Sequence, residues 1–192
     1  MDSEALAATI AAQELTRVGF VVSPEIVSRF FAGRRPIDML VDIEAATMRR
    51  LRTELRATAH VAHALTWLRG PKCVASSSTL DRVRVSLEIT DLLRFFDPYL
   101  FSASDVGRGK PAPDLFLHVA AKMNVKPADC IVVEDSPAGV AAAHAAGMVP
   151  IGFIGGTHTG PNLGGYLTSA GARAVIADMR ALKSTVVALR GW

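Results

Sequence analysis

From Val61 to the end of the chain, short uninterrupted apolar runs alternate with helical stretches, and most runs stop at a polar cluster. Lys72-Cys73-Val74-Ala75 ends in Ser76-Ser77-Ser78, with a helical stretch from Leu80 to Ile89 behind it. Tyr99-Leu100-Phe101-Ser102 leads into a Gly/Pro loop that carries Lys110, then into a helix from about Asp114 to Met123. Ile131-Val132-Val133 stops at Glu134-Asp135-Ser136, and an alanine-rich helix ended by Gly147 follows. Val149 to Ile154 and Ala174 to Ile176 are further strand candidates, and Met179 to Leu189 reads as a last helix. Strands that are apolar at every position are buried on both faces, which predicts a parallel sheet covered by helices on both sides. Ligands of such sheets bind at the carboxyl ends of the strands. Ser76, Lys110 and Glu134-Asp135-Ser136 all fall at or beyond such ends, so three strand ends converge on one candidate site.

The first part of the chain has another texture. From Ser3 to about Arg56 the apolar residues recur at helical spacing: Leu6, Ile10, Leu15 and Val18, then Ile26, Phe30 and Phe31, then Met39, Leu40 and Ile43, then Met48, Leu51 and Leu55. Breaks fall at Gly19, at Ser23-Pro24, where a capping serine precedes a proline in the first helical turn, and at Gly33 to Pro36. This stretch predicts a small helical bundle. With 50% hydrophobic residues, the 192-residue chain is far too apolar for disorder. Cys73 and Cys130, each in a short apolar run, read as buried reduced thiols of a cytoplasmic protein rather than a disulfide framework. No apolar run reaches the roughly 18 residues that span a bilayer, so no membrane partner is expected. The 16 arginines and 5 lysines are dispersed among acids for a net charge of +3, which favours a solvated mixed surface over nucleic-acid binding and suits small anionic ligands.

The polar clusters carry the chemistry. Two neighbouring carboxylates at the end of an apolar strand need a cation or a proton between them. A hard divalent ion, Mg2+ above all, meets that need through Glu134 and Asp135. The alternative is a helix cap, with Asp135 or Ser136 ahead of Pro137, and the two are compatible. Lys110, in Gly107-Arg108-Gly109-Lys110-Pro111-Ala112-Pro113-Asp114, is aimed by a stiff loop and could neutralise a phosphate or a carboxylate, whereas Arg108 reads as a surface residue. Ser76 lies where backbone amides point toward the next helix, a place for a phosphate oxygen, although three serines also make an ordinary turn. His60 and His63 lack a third ligand and read as surface or hinge residues. His144 reads as structural. Gly155-Gly156-Thr157-His158 lacks the dinucleotide fingerprint and is expected in a substrate-side loop. No G-x-S-x-G elbow surrounds Ser76.

Val74-Ala75-Ser76-Ser77-Ser78, the Gly107 to Asp114 loop and Val132-Val133-Glu134-Asp135-Ser136-Pro137-Ala138-Gly139 occur in the order and spacing of the haloacid dehalogenase superfamily. The chain resembles in particular its helical-cap phosphatases and beta-phosphoglucomutase-like enzymes, over nearly its whole length. The resemblance implies an α/β fold: a Rossmann-like parallel-sheet core over residues 59–192 and a small all-helical cap domain over residues 1–58. It implies a Mg2+-dependent phosphatase acting on a small phosphorylated metabolite through an aspartyl-phosphate intermediate. Ser76 and Ser77 then bind the phosphate and Lys110 orients it. Asp135 and Glu134 meet the Mg2+, and Arg34 and Arg35 reach from the cap toward substrate. A mutase returning the phosphoryl group to sugar, or a catalytically dead protein that binds phosphate ligands or a partner, are the alternatives. One departure is large. The family opens with a strand ending in D-x-D, which supplies nucleophile and acid/base, and no two aspartates of this chain are spaced that way. Met1-Asp2-Ser3-Glu4-Ala5-Leu6 matches only the tail of that opening, and Asp2 aligns with a later aspartate. The expectation is a missing first core strand of about 5–6 residues ahead of Met1, and no activity from these 192 residues alone.

Overall fold

The computed structural model describes residues 3–17, 22–31, 33, 35–156 and 160–190. Its contacts divide the chain into two units, one ending at Thr53 and the other beginning at Glu54.

The first unit is helical, with α1 (Ser3–Arg17), α2 (Pro24–Phe31) and α3 (Pro36–Glu54). The Ser23 hydroxyl accepts the Ile26 amide at 3.4 Å and Pro24 opens α2, the pairing of cap and proline that the sequence signals. The α1–α2 contact buries Ala8, Ala12 and Val27, with Ala11 and Val22 beside them, while Leu6 and Ile10 stay exposed. The larger apolar stripe is therefore not the one at this contact. Alanines let two helices approach closely.

The second unit alternates strand and helix. In order it holds α4 (Val61–Trp67), β1 (Val74–Ser76), α5 (Leu80–Ile89), β2 (Leu100–Ser102), α6 (Asp114–Lys122), β3 (Ile131–Glu134) and α7 (Pro137–Ala145). Then come β4 (Val149–Phe153), α8 (Leu163–Ser169), β5 (Ala174–Ile176), a 3-10 turn over Met179–Ala181 and α9 (Leu182–Arg190). Every strand pairing is parallel, as the apolar runs predict, which makes this an α/β fold. The sheet is nonetheless in two pieces among the described residues: β1 pairs with β2, and β3, β4 and β5 form a separate sheet in that order. What joins the pieces is the packing of α6 on α7. Phe116 and Ala120 of α6 meet Ala142, Ala143 and Ala146 of α7, and this cluster touches Ala75 of β1 and Val132 of β3. A second core gathers Ala64, Ile151, Phe153, Ile176 and Leu182.

Local chemistry sets the element ends. α7 closes with Gly147 at φ +75°, its amide bonded to the His144 carbonyl and the Met148 amide to the Ala143 carbonyl, a left-handed cap that favours glycine. The sequence pattern does not disclose α4 or α8. α8 carries Gly164-Gly165 just after Gly160-Pro161, which reads as loop, and forms because Leu167 is fully buried on it. No helix among the described residues is long and apolar enough to cross a membrane.

Candidate functional site

The ends of β1 and β2 are tied together by serines. The Ser76 hydroxyl accepts the Ser78 amide at 3.1 Å, which folds the serine run back on itself. Ser102 is in register with Ser76, is fully buried, and donates its hydroxyl to the Ser78 carbonyl at 2.8 Å. It also accepts the Ser104 amide at 3.1 Å, and its own amide donates to Asp105 at 3.0 Å. Ser77 at the tip is exposed. Ser102 is the residue the sequence reading missed, since its role is visible only once β1 and β2 are placed side by side. Ser102→Ala leaves the Ser78 carbonyl without its donor, so we expect a loss of about 1–3 kcal/mol in a urea denaturation. An unchanged midpoint would remove Ser102 from this account.

Lys110 reaches the same place from the following loop. Arg108 closes that loop with a two-pronged ion pair to Asp114, both contacts at 3.0 Å, and itself stays exposed. The Lys110 side chain is only 10% exposed. Its ammonium donates to the Ala75 carbonyl at 3.2 Å, pairs with the Glu134 carboxylate, and lies 5.0 Å from the centre of the Phe116 ring. Lys110 therefore bridges the last-but-one residue of β1 to the last residue of β3, across the break in the sheet.

Glu134 is equally enclosed, at 10% exposure. Besides Lys110 it receives the Ser136 hydroxyl at 3.1 Å, and the same Ser136 oxygen caps α7 by accepting the Gly139 amide at 3.0 Å. The capping reading of this motif thus holds for Ser136. Asp135 stands exposed beside them. The neutralising partner of Glu134 is an ammonium, and among the described residues no group of three acidic, histidine or cysteine side chains assembles around a metal position. Asp135 and Glu134 are the two neighbouring carboxylates that could hold Mg2+, which commonly takes one or two protein carboxylates and fills its remaining positions with water and phosphate oxygens.

The other candidates sit elsewhere or are engaged. Arg35 belongs to the helical unit and grips Asp38 at 2.7 and 2.8 Å; Arg34 lies outside the described residues. His60, at φ +63° ahead of α4, places Nδ1 3.2 Å from Asp178. The adjoining Arg180 guanidinium holds the Asp178 carboxyl down at about 2. Cys73 and Cys130 are free thiols, half-buried rather than fully so, and burial pushes Cys73 up to about 11, which keeps it an unreactive thiol. Gly155 packs against the Phe153 ring and the Ala177 carbonyl, while Thr157 and His158 of that loop lie outside the described residues.

Comparison with known proteins identifies relatives of this chain. The chain is 29% identical over 178 residues to the 6-phosphogluconate phosphatase of Escherichia coli K12, an alignment covering 84% of this chain and 80% of that one. In fold it is similar to a conserved haloacid dehalogenase-like protein of unknown function from Agrobacterium tumefaciens C58, with TM-score 0.72, 36% identity, and 98% and 93% of the two chains covered. It is also similar to a haloacid dehalogenase family hydrolase of Deinococcus radiodurans R1 solved with bound phosphate and sodium, with TM-score 0.69, 26% identity, and 96% and 89% covered. The family pattern described as haloacid dehalogenase-like hydrolase runs through residues 4–147, spanning all three strand-end motifs, and the chain belongs to that family.

Proposed function

We propose that the carboxyl ends of β1 and β3 bind the phosphate group of a small phosphorylated metabolite, a sugar phosphate or similar, and that this site is the core of a phosphatase. The observation that carries the reading is the Lys110 ammonium, enclosed and fixed between the Ala75 carbonyl and Glu134, one residue from Ser76. An ammonium in that setting meets a phosphate oxygen without first losing a shell of water, and so binds it more strongly than a surface lysine does. The Ser76 hydroxyl and the Ser77 turn offer further donors on the β1 side, and Arg35 belongs to the proposed cap over residues 1–58. The phosphate found in the Deinococcus radiodurans relative and the substrate named for the Escherichia coli relative support the ligand class.

The hydrolytic step needs the aspartate pair that the resemblance assigns to nucleophile and acid/base, and these 192 residues hold no D-x-D. The break between β1 and β3 is where the resemblance puts the strand that bears it. These residues are therefore proposed to bind the phosphate ester and not to turn it over. Magnesium, the cofactor that the resemblance implies, would be held by Asp135 and Glu134 with water and phosphate oxygens completing its shell, and would offset negative charge on the phosphate.

Calorimetric titration with inorganic phosphate tests the site. Lys110→Ala is expected to weaken binding roughly 10- to 100-fold, the equivalent of about 1.5–3 kcal/mol for a charged hydrogen bond. Ser76→Ala, which disturbs no ion pair, is expected to weaken it roughly 2- to 10-fold. Equal affinity in both variants and the parent chain overturns the assignment. Turnover of p-nitrophenyl phosphate by this chain, abolished in Asp135→Ala, would keep the site and overturn the expected inactivity.

A further inference from the structure

Gly139 stands at the third position of α7, and its φ is not in the left-handed region. Glycine within a helix is less stable than alanine by about 0.5–1 kcal/mol, so neither its backbone nor its helix explains it. The surroundings do. The three atoms nearest to a Cβ built at this position are all in the Glu134 carboxyl group, its carbon and both oxygens, and each would lie far inside van der Waals contact. The Glu134 side chain leaves the end of β3, folds back over Ser136, and lays its carboxylate on the first turn of α7 where a side chain at 139 would be. From that seat it receives the Ser136 hydroxyl and the Lys110 ammonium.

We propose that Gly139 is a positioning residue for Lys110: its missing side chain is the seat of the Glu134 carboxylate, and the seated carboxylate fixes the ammonium at the mouth of the site. The chain of contact runs from α7 through Glu134 to Lys110 and from there to the Ala75 carbonyl. A methyl group at 139 forces the carboxylate out toward solvent and releases the lysine with it. The proposal holds whatever ester the site takes, and the phosphate titration can fail while it stands.

Two readouts test it. In the first, the full chain is trace-labelled with acetic anhydride, and acylation of Lys110 is compared by peptide mass spectrometry with that of exposed Lys122 and Lys126. The parent Lys110 is expected to react at least about tenfold more slowly than these, because its side chain is only 10% exposed and the reagent reaches it only when the site opens. In Gly139→Ala the difference should shrink to within about threefold. The second readout is a reversal of sign in thermal melting. Gly139→Ala is expected to lower the Tm of the parent chain. In the Lys110→Met/Glu134→Ala background, where neither charge remains to be stranded, the same substitution is expected to raise Tm, as glycine to alanine does in an ordinary helix. Lys110 labelling unchanged in Gly139→Ala, or a fall in Tm of equal size in both backgrounds, overturns the proposal.

Discussion

Glu134→Ala lowers the unfolding free energy by about 3–5 kcal/mol, a large part of the roughly 5–15 kcal/mol that a domain has to lose. The size follows from enclosure. Lys110 and Glu134 are each 10% exposed, so removing the acid leaves an ammonium with the Ala75 carbonyl and the Phe116 ring and little water to replace what it lost. The pair itself is not worth that much, because each charge was taken out of water to form it. Lys110→Met added to Glu134→Ala should therefore recover most of the loss. Urea denaturation of the two single variants and the double variant measures this directly. If the losses simply add, the ion pair is not what encloses these residues.

Ile151→Ala and Val133→Ala should differ severalfold in cost although the two residues are neighbours in register on β4 and β3. Ile151 is fully buried in the cluster with Phe153, Ile176 and Leu182, and its truncation removes three carbons and leaves a cavity. That costs about 2–5 kcal/mol. Val133 is 39% exposed, so the two carbons lost there were only partly out of water, and the expected cost is about 1 kcal/mol. Comparing denaturation midpoints of the two variants decides it. Equal losses would mean that β3 is covered on the side away from β4.

The elements that could be read in advance are those whose cause is local. Ser136 capping α7, the glycine closure at Gly147, and α5 over Leu80–Ile89 each depend on residues within a few positions, and each stands where the pattern puts it. The strand ends were legible for the same reason, since an apolar run that stops at Ser76 or Glu134 marks its own limit. What could not be read depends on partners far along the chain. Neighbouring carboxylates at Glu134 and Asp135 call for positive charge, which is sound electrostatics. That Lys110, 24 positions earlier, supplies it to Glu134 is a fact of packing. Ser102 likewise gains its role from a partner 24 positions away, and Gly139 owes its identity to a side chain that only the turn after β3 brings back onto the helix. α8 is the opposite case: its local signals are those of a loop, and burial of Leu167 overrides them.

The division of the sheet also bears on how the molecule opens. β1 and β2 are three residues each and pair only with one another among the described strands, whereas β4 is flanked on both sides and carries the buried Pro150, Ile151 and Phe153. Segments with a short ladder and little buried area open at lower free energy than the rest of a domain, in units of their own. The two-stranded piece is expected to be that unit here. When it detaches, Ser76 leaves and Lys110 loses the Ala75 carbonyl, while Glu134 remains with α7. Amide hydrogens of Val74 to Ser76 will then exchange with solvent on a faster clock than those of Ile151 to Phe153. If phosphate binds at the proposed site, its occupancy is expected to hold that clock back, so that ligand affinity and local opening become two measures of one equilibrium.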